Sequence, residues 1–270
     1  MTKNVLITGA SSGIGLATGV KLREAGFNVI GTGRDPVKSQ HGEFKMVSLD
    51  VCDDHSVQTC VKDVISEVGE IDILINNAGL ALVSNAEHTP IADAQLQLET
   101  NYLGAVRMIQ AVLPNMRAKR SGKIINISSL VGFASIPYMA AYSASKFALE
   151  GFSEALYHEL LPFGVQVALV QPGMVKTTLF EKSNEHEPAD KDYQPWFEQA
   201  RLSIIKHAVN GVETDVVANR IVKLCQQKRP DLHNRVGPDA KLVGRLKRIL
   251  PGSVFNKIWY REFGLNEVKA

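Results

Sequence analysis

The sequence predicts an α/β protein: one domain built on a doubly wound parallel sheet of about seven strands, with helices on both faces. Three observations predict it. Short apolar runs alternate with long amphipathic segments along most of the 270 residues. Those runs lack the in–out alternation of a one-sided sheet, as strands buried on both faces do. No repeat, low-complexity tract or interior linker divides the chain.

Val5-Leu6-Ile7 reads as the first strand, followed by a Gly/Ser turn and a helix to about Ala25. Asn28–Thr32, Lys45–Leu49, Asp72–Asn76, Lys123–Ser128 and Val165–Gln171 are the next strands. Helical periodicity fills the intervals at Ser56–Val68, Ala92–Arg117 and Ala144–Leu161. Residues 1–177 form the core on this reading. From 178 to 211 the pattern loosens into a polar, mixed stretch with Thr178, Phe180, Trp196 and Phe197. A connection that long inside a compact domain reads as a substrate lid. Residues 212–270 resume with a helix at Val212–Gln227, a last short strand at Arg235-Val236-Gly237 and a basic amphipathic tail.

Composition excludes several classes. The 45% hydrophobic and 21% charged shares suit a globular core, not a disordered chain or a coiled coil. Thirty Lys+Arg against 28 Asp+Glu leave +2, too little to favour nucleic acid. No apolar run approaches the roughly 18 residues of a membrane span, and the amino-terminal stretch is short for a secretion signal. Cys52, Cys60 and Cys225 form no CxxC pair and cannot all be bridged internally, which favours a reducing compartment. A soluble, cytoplasmic protein is expected.

Thr8-Gly9-Ala10-Ser11-Ser12-Gly13-Ile14-Gly15 joins the first strand to the first helix. Gly9 allows the tight exit, Gly13 lets backbone approach a pyrophosphate, and Gly15 lets the helix pack near the sheet. The helix start, with Ser11, Ser12 and Ile14 around it, presents free N–H groups to the anion. The second strand ends in Gly31-Thr32-Gly33-Arg34-Asp35. Its tip is glycine where an acidic residue would read a ribose 2′-hydroxyl, and the Arg34 guanidinium suits a 2′-phosphate. NADP(H) is therefore expected rather than NAD(H), with Asp35 the competing reader. Asp50-Val51, ending the third strand, flanks the adenine on one reading; on the other, Asp50 caps the next helix.

Tyr142 and Lys146 stand four residues apart and share one face if helical. A free phenol titrates near 10, and a fixed cation lowers that value. Asn126-Ile127-Ser128-Ser129, Asn76-Asn77-Ala78-Gly79 and Pro172-Gly173-Met174-Val175-Lys176-Thr177 leave their strands at the carboxyl edge, where open α/β sheets bind ligands. Asn101 interrupts an otherwise apolar helix.

In these motifs the chain resembles the short-chain dehydrogenase/reductase family, from about Lys3 to Thr177, with the tail nearest to members that handle steroids and retinoids. The resemblance implies a Rossmann-type sheet and hydride transfer between a nicotinamide and a carbonyl or alcohol. It makes Tyr142 the general acid/base and Ser129, thirteen positions before it, the hydrogen-bond donor to the substrate oxygen. Lys146 would lower the Tyr142 pKa and hold the nicotinamide ribose. Asn101 would support a water relay, and Thr177 would contact the carboxamide. Asn77, Ala78, Gly79, Pro172, Gly173 and Val175 would complete the cofactor contacts. The family also pairs its helices around Ala92–Arg117 and Ala144–Leu161 across a two-fold axis, so a homodimer or homotetramer is expected.

The rival readings are an NAD-dependent alcohol dehydrogenase, a 3-oxoacyl-thioester reductase, and a non-catalytic dinucleotide sensor. The seven histidines lack ligand spacing, so no metal is expected. The tail carries Lys241, Arg245, Lys247, Arg248, Lys257 and Arg261 among Leu242, Leu246, Ile249, Val254, Phe255, Ile258 and Trp259. It reads as a docked helix pair with its basic face in water, as a weak membrane-surface contact, or as a wall of an apolar pocket.

Overall fold

The computed structural model describes residues 2–37, 42–177, 179 and 184–268. Seven parallel strands form the main sheet: β1 (Asn4–Ile7), β2 (Asn28–Gly33), β3 (Lys45–Ser48), β4 (Ile73–Asn76), β6 (Gly122–Ile127), β7 (Val165–Pro172) and β9 (His233–Val236). Their order is β3-β2-β1-β4-β6-β7-β9. The chain winds outward from β1 in one direction, then returns to β4 and winds out in the other. That reversal leaves a crevice at the carboxyl ends of β1 and β4. A second, two-stranded parallel sheet pairs β5 (Leu82–Ser84) with β8 (Asn184–His186). Neither short strand is marked by a long apolar run.

Alternate residues of the central strands feed two apolar layers, which is why the strands show no polar phase. Leu6, Leu74, Ile124 and Val167 pack on one face with Val57, Val61 and Val64 of α2 (Asp54–Val68), Met108 and Val112 of α4 (Gly104–Lys119), and Leu156 of α5 (Ala140–Leu160). Val5, Ile7, Ile75, Ile125 and Val170 pack on the other with Leu22 of α1 (Gly13–Glu24) and Val217, Ile221 and Leu224 of α7 (Thr214–Gln226).

Three elements differ from the sequence expectation. The predicted helix Ala92–Arg117 is two helices, α3 (Ile91–Leu98) and α4, joined by a π-helical turn at Glu99–Leu103. The wider turn carries Asn101 to 2% exposure, where its amide makes hydrogen bonds that a regular helix would not offer. α5 begins at Ala140 rather than Ala144, so Tyr142 and Lys146 share its first turns. The stretch expected as a lid holds α6 (Gln194–Val209), whose Phe197, Ala200 and Ile204 are buried; Thr178 and Phe180 lie outside the described residues.

The tail is a docked helix pair, α8 (Pro238–Ile249) and α9 (Gly252–Glu262). Ala240, Val243, Phe255, Phe263 and Leu265 bury it against the same cluster that contains Tyr142 and Phe197. Trp259 Nε1 donates to the Ser135 carbonyl at 2.6 Å and Lys247 Nζ to that of Phe133, so the pair backs the loop before α5.

Lys123 of β6 is 6% exposed, and its ammonium donates to the carbonyls of Leu224, Cys225 (2.9 Å) and Gln227 (2.7 Å) at the end of α7. Helix ends leave their last carbonyls without intrahelical partners, and a cation there also complements the dipole. Lys123→Met is expected to leave those acceptors unpaired and cost about 1–3 kcal/mol, read as a lower urea midpoint.

Candidate active site

At the crevice between β1 and β4, Gly9 and Gly13 take left-handed backbone, φ +64 and +56. A Cβ on Gly9 would stand 2.8 Å from Ala78 Cα, so the first turn and the β4 loop meet backbone to backbone. Gly15 is as tight: its Cβ would strike the Gly9 carbonyl and lie 2.5 Å from Asn77 Nδ2. Among the described residues a Cβ at Gly13 would make ordinary contact with Thr177, whose methyl is 3.7 Å away, so the backbone there is not crowded. Ser12 begins α1 without a side-chain cap, and no acidic residue occupies the first turn. The N–H groups and the positive end of the helix dipole thus face a cradle lined by backbone, which fits a dinucleotide pyrophosphate.

The cradle is stitched in place. Thr8 Oγ1 accepts from the backbone N–H of Asn77 and of Ala78, both at 3.0 Å. The Asn77 amide donates back to the carbonyls of Thr8 (3.0 Å) and Gly9 (2.9 Å). Asn77, expected among the cofactor contacts, therefore spends its side-chain donor on the turn.

At the adenosine end, Gly33 lies beside Ser11, with a Cβ position 3.6 Å from the Ser11 Cβ, and Arg34 follows, exposed. Asp50 does not cap α2. That cap is Asp53, which accepts from Ser56 N at 2.9 Å, while Asp50 Oδ1 accepts from Cys52 N at 2.9 Å. The reason is spacing: Asp53 immediately precedes the first helical residue, and Asp50 is three residues too early. The Val51 side chain is buried against α4, where a Cβ on Gly104 would lie 2.8 Å from it.

Tyr142, Lys146, Ser129, Asn101 and Gly79 come together. Tyr142 is 6% exposed, with the Ser129 hydroxyl near enough to lower its pKa, and Ser129 Oγ accepts from Val131 N at 3.3 Å. Lys146 Nζ donates to the Ile127 carbonyl at 2.9 Å and stands 5.9 Å from the Tyr142 ring centre. A Cβ on Gly79 would be 3.0 Å from Asn101 Oδ1 and 3.7 Å from Lys146 Nζ. The Asn101 side chain is fully engaged, accepting from Leu80 N (2.8 Å) and donating to Leu80 O and Ser145 Oγ (both 2.9 Å).

In the ligand-free site burial is the largest influence on both groups. Burial pushes the phenol up to about 12, and the Ser129 hydrogen bond only partly offsets it. Burial also pushes the Lys146 ammonium down to about 8, against the pull of Glu150. Desolvation outweighs the local charges, so the polypeptide by itself keeps Tyr142 in its acid form at neutral pH.

Pro172 ends β7. Gly173 N donates to Val236 O at 2.9 Å, Met174 N to Asp239 Oδ2 at 2.6 Å, and Val175 is buried in a bridge to Val212. These bonds fix the exit loop that carries Thr177 back over Gly13. Sequence reasoning missed a buried ladder in which Asn76 donates to Asn126 (2.9 Å) and Asn126 to Ser153 (2.8 Å), tying β4, β6 and α5. Its signal was available as two asparagines inside apolar strands. A cavity of about 680 Å³ lined by Met174, Leu202, His207, Val212 and Arg261 lies apart, and neither Tyr142 nor Lys146 lines it.

The glycine cradle at the switch point, with a buried Tyr–Lys pair beside it, defines a dinucleotide-binding oxidoreductase. The chain belongs to the short chain dehydrogenase family, whose model matches residues 3–188. It is 42% identical to a 3-ketodihydrosphingosine reductase of Bacteroides thetaiotaomicron, over 93% of this chain and 94% of that protein. It is 35% identical to retinol dehydrogenase 8 of Bos taurus, over 94% and 88%. A short-chain dehydrogenase structure from Streptomyces avermitilis superposes with a TM-score of 0.82 at 33% identity, covering 92% of this chain and 93% of that one. Among the described residues no helix is long and apolar enough to cross a membrane.

Gly15→Ala tests the cradle. The added methyl must displace the Gly9 carbonyl or the Asn77 amide, so dinucleotide affinity is expected to fall about tenfold or more, measured by titration calorimetry.

Proposed function

We propose that the protein is an NADP(H)-dependent oxidoreductase that interconverts a bulky apolar ketone or aldehyde and its alcohol. One observation carries the reading: the buried Tyr142 phenol lies within an apolar cluster, next to Ser129 and with Lys146 Nζ 5.9 Å from its ring centre, beside the glycine cradle. When bound, the nicotinamide supplies or receives the hydride. Ser129 and Tyr142 hold the carbonyl oxygen and polarise it by hydrogen bonds. Tyr142, in its acid form, gives its proton to that oxygen as negative charge develops there. Lys146, held at the Ile127 carbonyl, orients the ribose hydroxyls and favours the phenolate left behind. Asn101 supports the relay that returns the proton, its side chain fixing the Leu80 backbone and Ser145.

NADP(H) rather than NAD(H) is favoured by Arg34 after Gly33, where a guanidinium meets the 2′-phosphate. The apolar substrate is favoured by what surrounds Tyr142. Val83, Leu130, Met139, Phe197 and Phe255 are buried in its cluster, with Trp196 and Trp259 partly buried against it. The names of the relatives point the same way, since a ketodihydrosphingosine and a retinol each carry an oxidisable or reducible carbon–oxygen group on a long apolar body. α8 and α9 leave Leu242, Ile249, Val254 and Ile258 exposed among Lys241, Arg245, Lys257 and Arg261, a surface suited to weak contact with anionic lipid. A homodimer or homotetramer through α4 and α5 completes the reading.

Tyr142→Phe keeps the ring and removes the transferable proton. Turnover of long-chain ketones, followed by loss of reduced nicotinamide absorbance, is expected to fall at least ~10²-fold, with cofactor binding retained. Near wild-type turnover would overturn the reading. Arg34→Ala is expected to raise the KM for NADPH much more than that for NADH, and steady-state kinetics with both cofactors checks this.

A further inference from the structure

One face of α5 carries a run of titratable side chains, each one turn from the next: Tyr142, Lys146, Glu150, Glu154 and His158. The first two belong to the site described above. Glu150 is 6% exposed, an unusual burial for a carboxylate. Its Oε2 accepts from Gln171 Nε2 at 2.8 Å and lies 3.5 Å from His233 Nδ1. Its Oε1 has no hydrogen-bond partner among the described residues. A Cβ on Gly132 would stand 3.2 Å from that oxygen and 2.6 Å from Ser128 Oγ, another buried atom without a partner.

A buried carboxylate is costly unless cations compensate it, and two flank this one. Lys146 lies one turn inward on the same helix. His233 lies outward on the edge strand β9, its side chain 41% exposed, with Nε2 3.4 Å from Glu154 Oε1. The charged and titratable neighbours of the pair are thus Lys146 and Glu154 from α5 and His233 and Arg235 from β9. β7 and the turn at 130–132 contribute Gln171 and Gly132, both neutral. Packing alone does not account for a charge here, since a glutamine at 150 would accept from Gln171 equally well.

We propose that Glu150 is a positioning residue for Lys146: its carboxylate keeps the desolvated lysine an ammonium, while His233 couples that carboxylate to solvent. This rests on Lys146 serving Tyr142 and the cofactor ribose as proposed above. Burial drives Lys146 toward the neutral amine, down to about 8, and Glu150 is the charge that opposes it. Without that charge the midpoint falls further, and Lys146 favours the phenolate less. His233 has its own pKa raised, chiefly by hydrogen bonding to Glu150. As the pH falls and the imidazole charges, it draws the carboxylate outward and weakens the hold on Lys146.

The direct test is the ¹³Cε shift of Lys146 against pH in the ligand-free protein. Glu150→Gln is expected to lower the Lys146 midpoint by about one pH unit or more, and Glu150→Asp to restore part of it. An unchanged midpoint in a folded Glu150→Gln protein overturns the proposal. Should that variant fail to fold, His233→Lys at the exposed edge neutralises the carboxylate from outside and must also lower the midpoint; no change there overturns it equally. The kcat–pH profile, with Tyr142→Phe measured alongside, separates the two readings. Activity surviving in Tyr142→Phe would sink the site assignment. An inactive Tyr142→Phe with a wild-type Lys146 titration in Glu150→Gln would sink only the role of Glu150.

Discussion

Everything at the functional edge depends on how the β1 turn is joined to the β4 loop. Thr8 Oγ1 takes two backbone N–H groups from Asn77 and Ala78, and the Asn77 amide returns two bonds to the Thr8 and Gly9 carbonyls. Backbone this close, with Gly9 against Ala78, leaves no room for a side chain. The four bonds satisfy polar groups that the crevice would otherwise strand. They also set the distance between the pyrophosphate cradle on one strand and the Gly79–Asn101–Lys146 cluster on the next. A dinucleotide spanning the switch point needs both at fixed separation.

From that join a polar framework runs through an otherwise apolar interior. Asn76, Asn126 and Ser153 connect two strands to α5, and Asn101 connects the π-helical turn to Ser145 on the same helix. These are buried hydrogen bonds between separate elements, and such networks specify one arrangement more sharply than apolar packing does. The outcome is that α5 is held at several points along its length. Tyr142 and Lys146 sit in its first turns, so their placement over the cradle follows from how the helix is pinned.

Desolvation shapes the chemistry at that place. The phenol is raised and the ammonium lowered by the same burial. Both groups are pushed toward neutrality, and the charges of ligand and neighbours decide which way a proton moves. The docked α8–α9 pair and the buried face of α6 produce much of this dryness, because Phe197, Phe255 and Phe263 share a cluster with Tyr142. Phe197 is an anchor of that wall, while Trp196 remains partly buried at its margin.

The sequence by itself determined the sheet, its parallel sense and the identity of the residues at its carboxyl edge. Continuous apolar runs can be satisfied only between two helical layers, and glycines at 9, 13 and 15 leave few other uses for the first turn. Tyr142, Lys146 and Ser129 were legible as a set through the family resemblance, whose motifs follow one another in order along the chain. Tertiary structure alone decided the rest. The break of the helix at Glu99–Leu103 depends on partners for Asn101 that lie 21 and 44 residues away. The pairing of β5 with β8 joins segments about a hundred residues apart, without an apolar run to announce either. The cap of α2 fell to Asp53 because only the final backbone path chose among nearby aspartates. The raised phenol and the paired Glu150 arise from burial, which is a property of neighbours distant in sequence rather than of the residues themselves.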